Sequence, residues 1–141
     1  MSELLVFEKI STNNANDYPS LFETPAAWEY DLTGGSEDFL FPDKNLNPGT
    51  NDIMYVLMYF ENVAGGATSI ISLLRSVDDS VDTDQFVQVP DSEQLLPLAA
   101  ALSVDWNYDA MGWTRNAIRY EEVVALTGKI KKIFVGFKNR R

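Results

Sequence analysis

The sequence predicts an all-β fold, a single-domain β-sandwich of jelly-roll or Ig-like type over residues 28–141, preceded by a strand and irregular arm over residues 1–27. Three observations carry this. Strand-like runs recur roughly every 10 to 15 residues and are joined by Gly, Pro, Asn and Asp, which supply the backbone geometries that turns need. The most apolar run, Ile53 to Phe60, has eight consecutive apolar or aromatic residues and no helical stripe. It is too short to cross a bilayer, and as a strand it reaches roughly 26 Å. Finally, a chain of 141 residues that is 45% hydrophobic can bury a core without disulfides.

Taken in order, Leu4 to Ile10 reads as a short strand, and Ser11 to Pro25, with Asn13-Asn14 and two prolines, as an irregular arm. Trp28-Glu29-Tyr30-Asp31-Leu32 alternates, as a strand with one dry and one wet face does, and Gly34-Gly35 ends it. Phe39 and Phe41 mark a strand stopped by Pro42, and Asn45 to Thr50 is a loop. In the central run, Ile53, Tyr55, Leu57 and Tyr59 share one face and Met54, Val56, Met58 and Phe60 the other. Both faces are apolar, so the sheet is expected to be covered on both sides. Small residues from Val63 to Ala67 and a second run from Thr68 to Arg75 suggest a hairpin.

Beyond it, Val77 to Asp84 is an acidic loop and Gln85 to Val89 a strand halted by Pro90-Asp91. Glu93 to Leu102 is leucine-rich but holds Pro97, which favours a strand or irregular crossing over a helix. Trp106 to Trp113 reads as an aromatic loop. Ala117 to Val124 and Ile130 to Phe137 read as the last strands, separated by Thr127-Gly128.

The chain has no cysteine and no histidine. That removes thiolate catalysis, His-based triads and Cys- or His-ligated metal sites from what it can do alone. No catalytic, cofactor-binding or metal site is therefore expected. Four carboxylates between Asp78 and Asp84 could offer calcium its oxygen ligands, but an EF-hand loop starting at Asp78 needs Gly and Glu where Thr83 and Val89 stand. A solvated turn is the plainer reading. Glu121 and Glu122 point to opposite faces of a strand and make a poor glycosidase pair. Gly34-Gly35 and Gly65-Gly66 lack the context of a phosphate loop. No stretch has the pattern of a signal peptide or a membrane span.

Net charge is −10, which disfavours nucleic acid and anionic membrane as partners. The charge is uneven. Residues 129–141 hold six basic groups, Lys129, Lys131, Lys132, Lys138, Arg140 and Arg141, and no acid, while the rest of the chain carries a net −16. This segment is either an edge strand guarded by lysines or a surface that docks on an acidic partner. Strict alternation puts Lys129 and Lys131 on the face of Ile133 and Val135, and Ile130 and Lys132 on that of Phe134. The aromatic residues Trp106, Tyr108 and Trp113 close the sandwich core, bury against a neighbouring subunit, or form a ligand platform on which sugar rings stack.

From about Trp28 onward the order of features resembles the small β-sandwich decoration and head-accessory proteins of tailed bacteriophages. The matching parts are Phe39 to Thr50 (strand and Gly/Asn/Pro turn), Ile53 to Asn62 (apolar strand ending in Asn), the small-residue turn Ala64 to Ala67, and the return strand Thr68 to Ser76. The loop Val77 to Asp84, the valine strand Gln85 to Pro90 and the closing strand Ile130 to Phe137 complete them. The segment Asp91 to Thr114 is longer and more aromatic than this pattern needs. The resemblance implies a non-enzymatic virion protein that binds capsid or other virion proteins and stabilises the shell as a homo-oligomer, without a cofactor. A carbohydrate-binding module, with host recognition among the roles open to it, is the alternative.

Overall fold

The computed structural model describes residues 3–4, 8–9, 20–41, 53–65, 69–78, 82–96, 103–109, 113 and 115–138. Within them the strands are β1 (Glu3–Leu4), β2 (Glu8–Lys9), β3 (Ser20–Glu23), β4 (Tyr30–Asp31), β5 (Glu37–Leu40), β6 (Ile53–Gly65), β7 (Ile70–Ser76), β8 (Val87–Gln88), β9 (Gln94–Leu95), β10 (Ser103–Asp109), β11 (Arg115–Glu121) and β12 (Leu126–Lys138). They form two sheets that pack face to face. One runs β1-β5-β11-β7-β8 with β9 also beside β7; the other runs β10-β6-β12-β3-β2 with β4 also beside β12. All neighbours are antiparallel except β1 and β5. The expected all-β sandwich is the observed fold.

Its core lies between the sheets. Val56, Met58 and Phe60 of β6 and Ile130, Ile133 and Val135 of β12 meet Ile71 and Leu73 of β7, Ile118 and Tyr120 of β11, and Phe39 of β5. Trp28 and Tyr30 add edge-on ring contacts to Phe39, with centroids 5.8 and 5.2 Å away. The dry face expected of Trp28, Tyr30 and Leu32 is present, but only Tyr30–Asp31 is strand. The chain then tightens into a 3-10 turn, Leu32–Gly34, because the Asp31 carboxylate accepts the Thr33 N–H and hydroxyl.

The expected hairpin between Ile53–Phe60 and Thr68–Arg75 does not form. β6 and β7 lie in different sheets, so the intervening turn is a crossing. Each run has an apolar face that must meet the other, and facing sheets satisfy this where side-by-side pairing would not. The expectation that β6 is covered on both faces also fails. Val56 and Met58 are fully buried, whereas Tyr59 is 42% exposed and Tyr55 and Leu57 are half-buried. Two-sided burial belongs instead to the other sheet, where every residue of β5 is buried.

That sheet's outer face is covered by the end of the acidic loop. Leu40, Leu74 and Ala117 pack with Phe86 in a small second cluster. Beside it Asp38, with no side-chain exposure, is held by Arg119 through two bonds (Nε to Oδ1, 2.9 Å; Nη2 to Oδ2, 3.0 Å) and by the Thr83 hydroxyl at 2.5 Å. Such a fork satisfies both carboxylate oxygens and makes burial of the charge tolerable. It also keeps the Arg119 guanidinium protonated more firmly than usual, its pKa raised by the bond to Asp38.

β12 carries two irregularities, between Thr127 and Lys129 and between Ile130 and Lys132. At the first, Gly128 has φ +113°, and a Cβ there would stand 2.8 Å from the Asn62 carbonyl oxygen. At the second, Lys131 is an extra residue opposite the Phe60–Tyr59 step. Strict alternation therefore breaks, which corrects the expected faces: Ile130 leaves the face of Lys132 and Phe134, which do share the outside, and points inward with Ile133 and Val135.

Two measurements check this architecture. Met58→Asp should abolish folding by burying an unpaired charge, while Leu57→Asp, one residue away on the outer face, should still give a cooperative thermal melt. Arg119→Met strands the buried Asp38 carboxylate. It should cost about 3 kcal/mol by urea titration, near the low end for a broken buried pair because the Arg119 side chain keeps 26% of its exposure. Adding Asp38→Leu should recover much of that loss.

Candidate functional site

The segment expected to be an aromatic loop begins as a strand. β10 pairs with β6 over seven residues, Ser103 opposite Tyr59 through Asp109 opposite Ile53. Alternation along it sends Trp106 inward, where it is 9% exposed and its indole N–H donates to the Ser92 carbonyl at 2.8 Å. The Trp106 ring is thus part of the core and closes the sandwich beside the Val89–Ser92 turn. Tyr108 sits opposite Met54 in the ladder, and its side chain lies outside the described residues. Trp113 is half-buried under the Arg75 guanidinium, 4.0 Å from the ring centroid. Arg75 lies far away in sequence, and no spacing rule links the two.

The basic segment is engaged within the chain. Glu29 receives Lys129 and Lys131, each at 2.8 Å, and Lys131 also stands 3.9 Å from Glu61. Lys132 reaches the Thr24 carbonyl at 3.0 Å and Glu23 at 3.6 Å. Two hydrogen-bonded ammonium groups hold the Glu29 carboxyl down at about 2, and the Lys129 ammonium is raised in turn by Glu29. These groups are open to solvent, where screening keeps the energetic worth of such pairs small. The Lys138 side chain, Arg140 and Arg141 lie outside the described residues.

What the structure leaves partly uncovered is the outer face of the β10-β6-β12-β3 sheet. Tyr55, Leu57 and Tyr59 of β6 lie side by side with Gly136, Phe134 and Lys132 of β12. Tyr59 meets Phe134 edge-on, centroids 6.1 Å apart at 82°, and the Lys132 ammonium stands 5.9 Å over the Phe134 ring. Ser103, Asp105 and Asn107 of β10 border the stripe on one side and Glu23 of β3 on the other. The result is an apolar, aromatic strip with a polar rim, built on rigid strands. Area and ring contact are what such a strip offers to a partner. The signal in the sequence was the placing of both tyrosines of β6 on the same face, opposite Met54, Val56, Met58 and Phe60.

Other loci carry less. Asp82 accepts the Asp84 N–H at 3.1 Å and caps the 3-10 turn Thr83–Gln85, while residues 79–81 of the acidic loop lie outside the described residues. Among the described residues no group of three acidic side chains is placed to hold a metal ion. A depression of about 310 Å³ at the Gly128 irregularity is lined by Asp31, Thr33, Glu61, Asn62, Thr127 and Lys129, with no apolar wall to enclose a ligand. No helix among the described residues is long and apolar enough to cross a membrane. No known protein family and no curated protein matches the chain.

The Glu29 cluster gives a titration test. Its carboxyl carbon signal should titrate near about 2, well below the ordinary 4.5, and return toward 4.5 in a Lys129→Met, Lys131→Met variant. Because the folded pKa is the lower one, the cluster's stabilisation is present above pH 4.5 and fades as pH falls from there toward 2.

Proposed function

We infer that this chain is a non-enzymatic structural protein of a virion, a capsid decoration or head-accessory subunit, which binds an assembled shell through the outer face of the β10-β6-β12-β3 sheet. The observation that carries the reading is the strip Tyr55, Leu57, Tyr59 and Phe134, in which Tyr59 is exposed and the other three are half-buried, a contiguous aromatic and aliphatic surface carried on paired strands. Supporting it, the chain lacks the histidines and cysteines of the commonest hydrolytic sites. The neutralisation of Lys129, Lys131 and Lys132 inside the chain favours a contact led by apolar area over one led by their charge.

A second reading, a carbohydrate-binding module, draws support from Asp105 and Asn107 standing next to Leu57 and Tyr55 on the same face, polar groups beside rings on which a sugar could stack. Co-sedimentation with purified shells separates the two. Binding should persist at 1 M salt, where the Debye length is about 3 Å, and fall at least tenfold in a Leu57→Ser, Tyr59→Ser, Phe134→Ser variant that keeps its thermal melt. Sugar-dependent tyrosine quenching by a protein that ignores shells would replace the first reading with the second.

A further inference from the structure

The edges of the two sheets differ in length. β1, β2, β8 and β9 have two residues each, and edges this short give an added strand little to pair with. β10 is an edge of another kind. It runs for seven residues, Ser103–Asp109, pairs with β6 without a bulge, and contains no proline, glycine or lysine. Among the described residues no strand pairs with its other side. Ser103, Asp105 and Asn107 are exposed. The Asp105 carbonyl accepts a long bond from outside the ladder, from the Gln94 side-chain amide at 3.3 Å. Since the N–H and C=O of one strand residue point the same way, this marks Asp105, and Ser103 and Asn107 with it, as facing the open edge.

We propose that a second copy of this chain adds its own β10 antiparallel to this edge, about a two-fold axis at Trp106. Among the registers that pair at least five residues of the strand, its charges select that one. With the axis at Trp106, Asp105 lies opposite Asn107 of the partner subunit, Ser103 lies opposite Asp109 of the partner subunit, and no like charges meet. Moving the axis to Asp105 sets that aspartate against its own copy, and moving it to Asn107 sets Asp105 against Asp109 of the partner subunit; like charges directly opposite each other are unfavourable. An axis between residues would bring the inner face of one copy onto the outer face of the other. In the favoured register the backbone amide of Asn107 from the partner subunit takes the Asp105 carbonyl in place of the Gln94 side chain. The two outer sheet faces become continuous, and the edge that invites unlimited pairing is closed by symmetry. This pairing does not depend on what the outer face binds.

Sedimentation equilibrium on the full chain tests it, with Asn107→Asp, Asn107→Lys and, as a charge control in the exposed turn before β12, Val123→Asp. The wild type should form a concentration-dependent dimer. Asn107→Asp places a like charge opposite Asp105 twice over and should raise the dimer dissociation constant roughly two- to thirty-fold. Asn107→Lys should lower it, and Val123→Asp should leave it nearly unchanged. In amide hydrogen exchange, Asp105 and Asn107 should become protected as the dimer forms. A chain that stays monomeric up to its solubility limit overturns the proposal. So does an oligomer whose dissociation constant is indifferent to the charge at Asn107, or one in which those two amides exchange freely.

Discussion

The ladder between β6 and β12 is the constraint on which the rest depends. It runs from Leu126 opposite Gly65 to Lys138 opposite Ile53, and β12 is also the strand on which β3 and β4 assemble. Two irregularities let it do so. Without a Cβ at residue 128, β12 can approach the Asn62 backbone, where any larger residue would collide. The extra residue at Lys131 lets three lysines lie outside while Ile130, Ile133 and Val135 all remain in the core. A regular strand with this sequence would have to bury a lysine or expose an isoleucine.

Two polar clamps fix how the sheets close. Ser92 is the first. Its hydroxyl donates to the Val89 carbonyl at 2.7 Å and accepts the Leu73 N–H at 3.0 Å, while its carbonyl takes the Trp106 indole. One turn residue thus links β7 of one sheet to β10 of the other, with Asp91 in the left-handed region (φ 61°) to bring it there. The second clamp is Asp38 with Arg119 and Thr83, which holds the end of the acidic loop over the outer face of the β5-β11-β7 sheet. Together they account for why that sheet is buried on both faces while its partner is not.

That asymmetry organises the functional reading. One outer face is closed by the chain's own loop; the other presents rings and aliphatic groups between polar borders. The lysines that looked like a docking surface on charge alone act first within the fold, collected around Glu29 and Glu23. For the binding proposed above, a strip carried on hydrogen-bonded strands would need less ordering on contact than one carried on a loop.

By itself the sequence determined the all-β class, the breaks at Gly34-Gly35 and Pro90-Asp91, and the dry face of Trp28, Tyr30 and Leu32. Each follows from local composition or from short-range alternation, whereas Thr127-Gly128, expected to separate the last two strands, lies inside β12. Only the tertiary structure decided which apolar runs face each other. Ile53–Phe60 and Thr68–Arg75 read equally well as a hairpin or as strands of opposing sheets, since both arrangements obey the same period. It also decided which face of β6 stays open, because a run apolar on both sides does not say what covers either. The lysine faces were beyond periodicity altogether: one extra residue at Lys131 reverses the alternation beyond it, and it shows only in the pairing of β12 with β6.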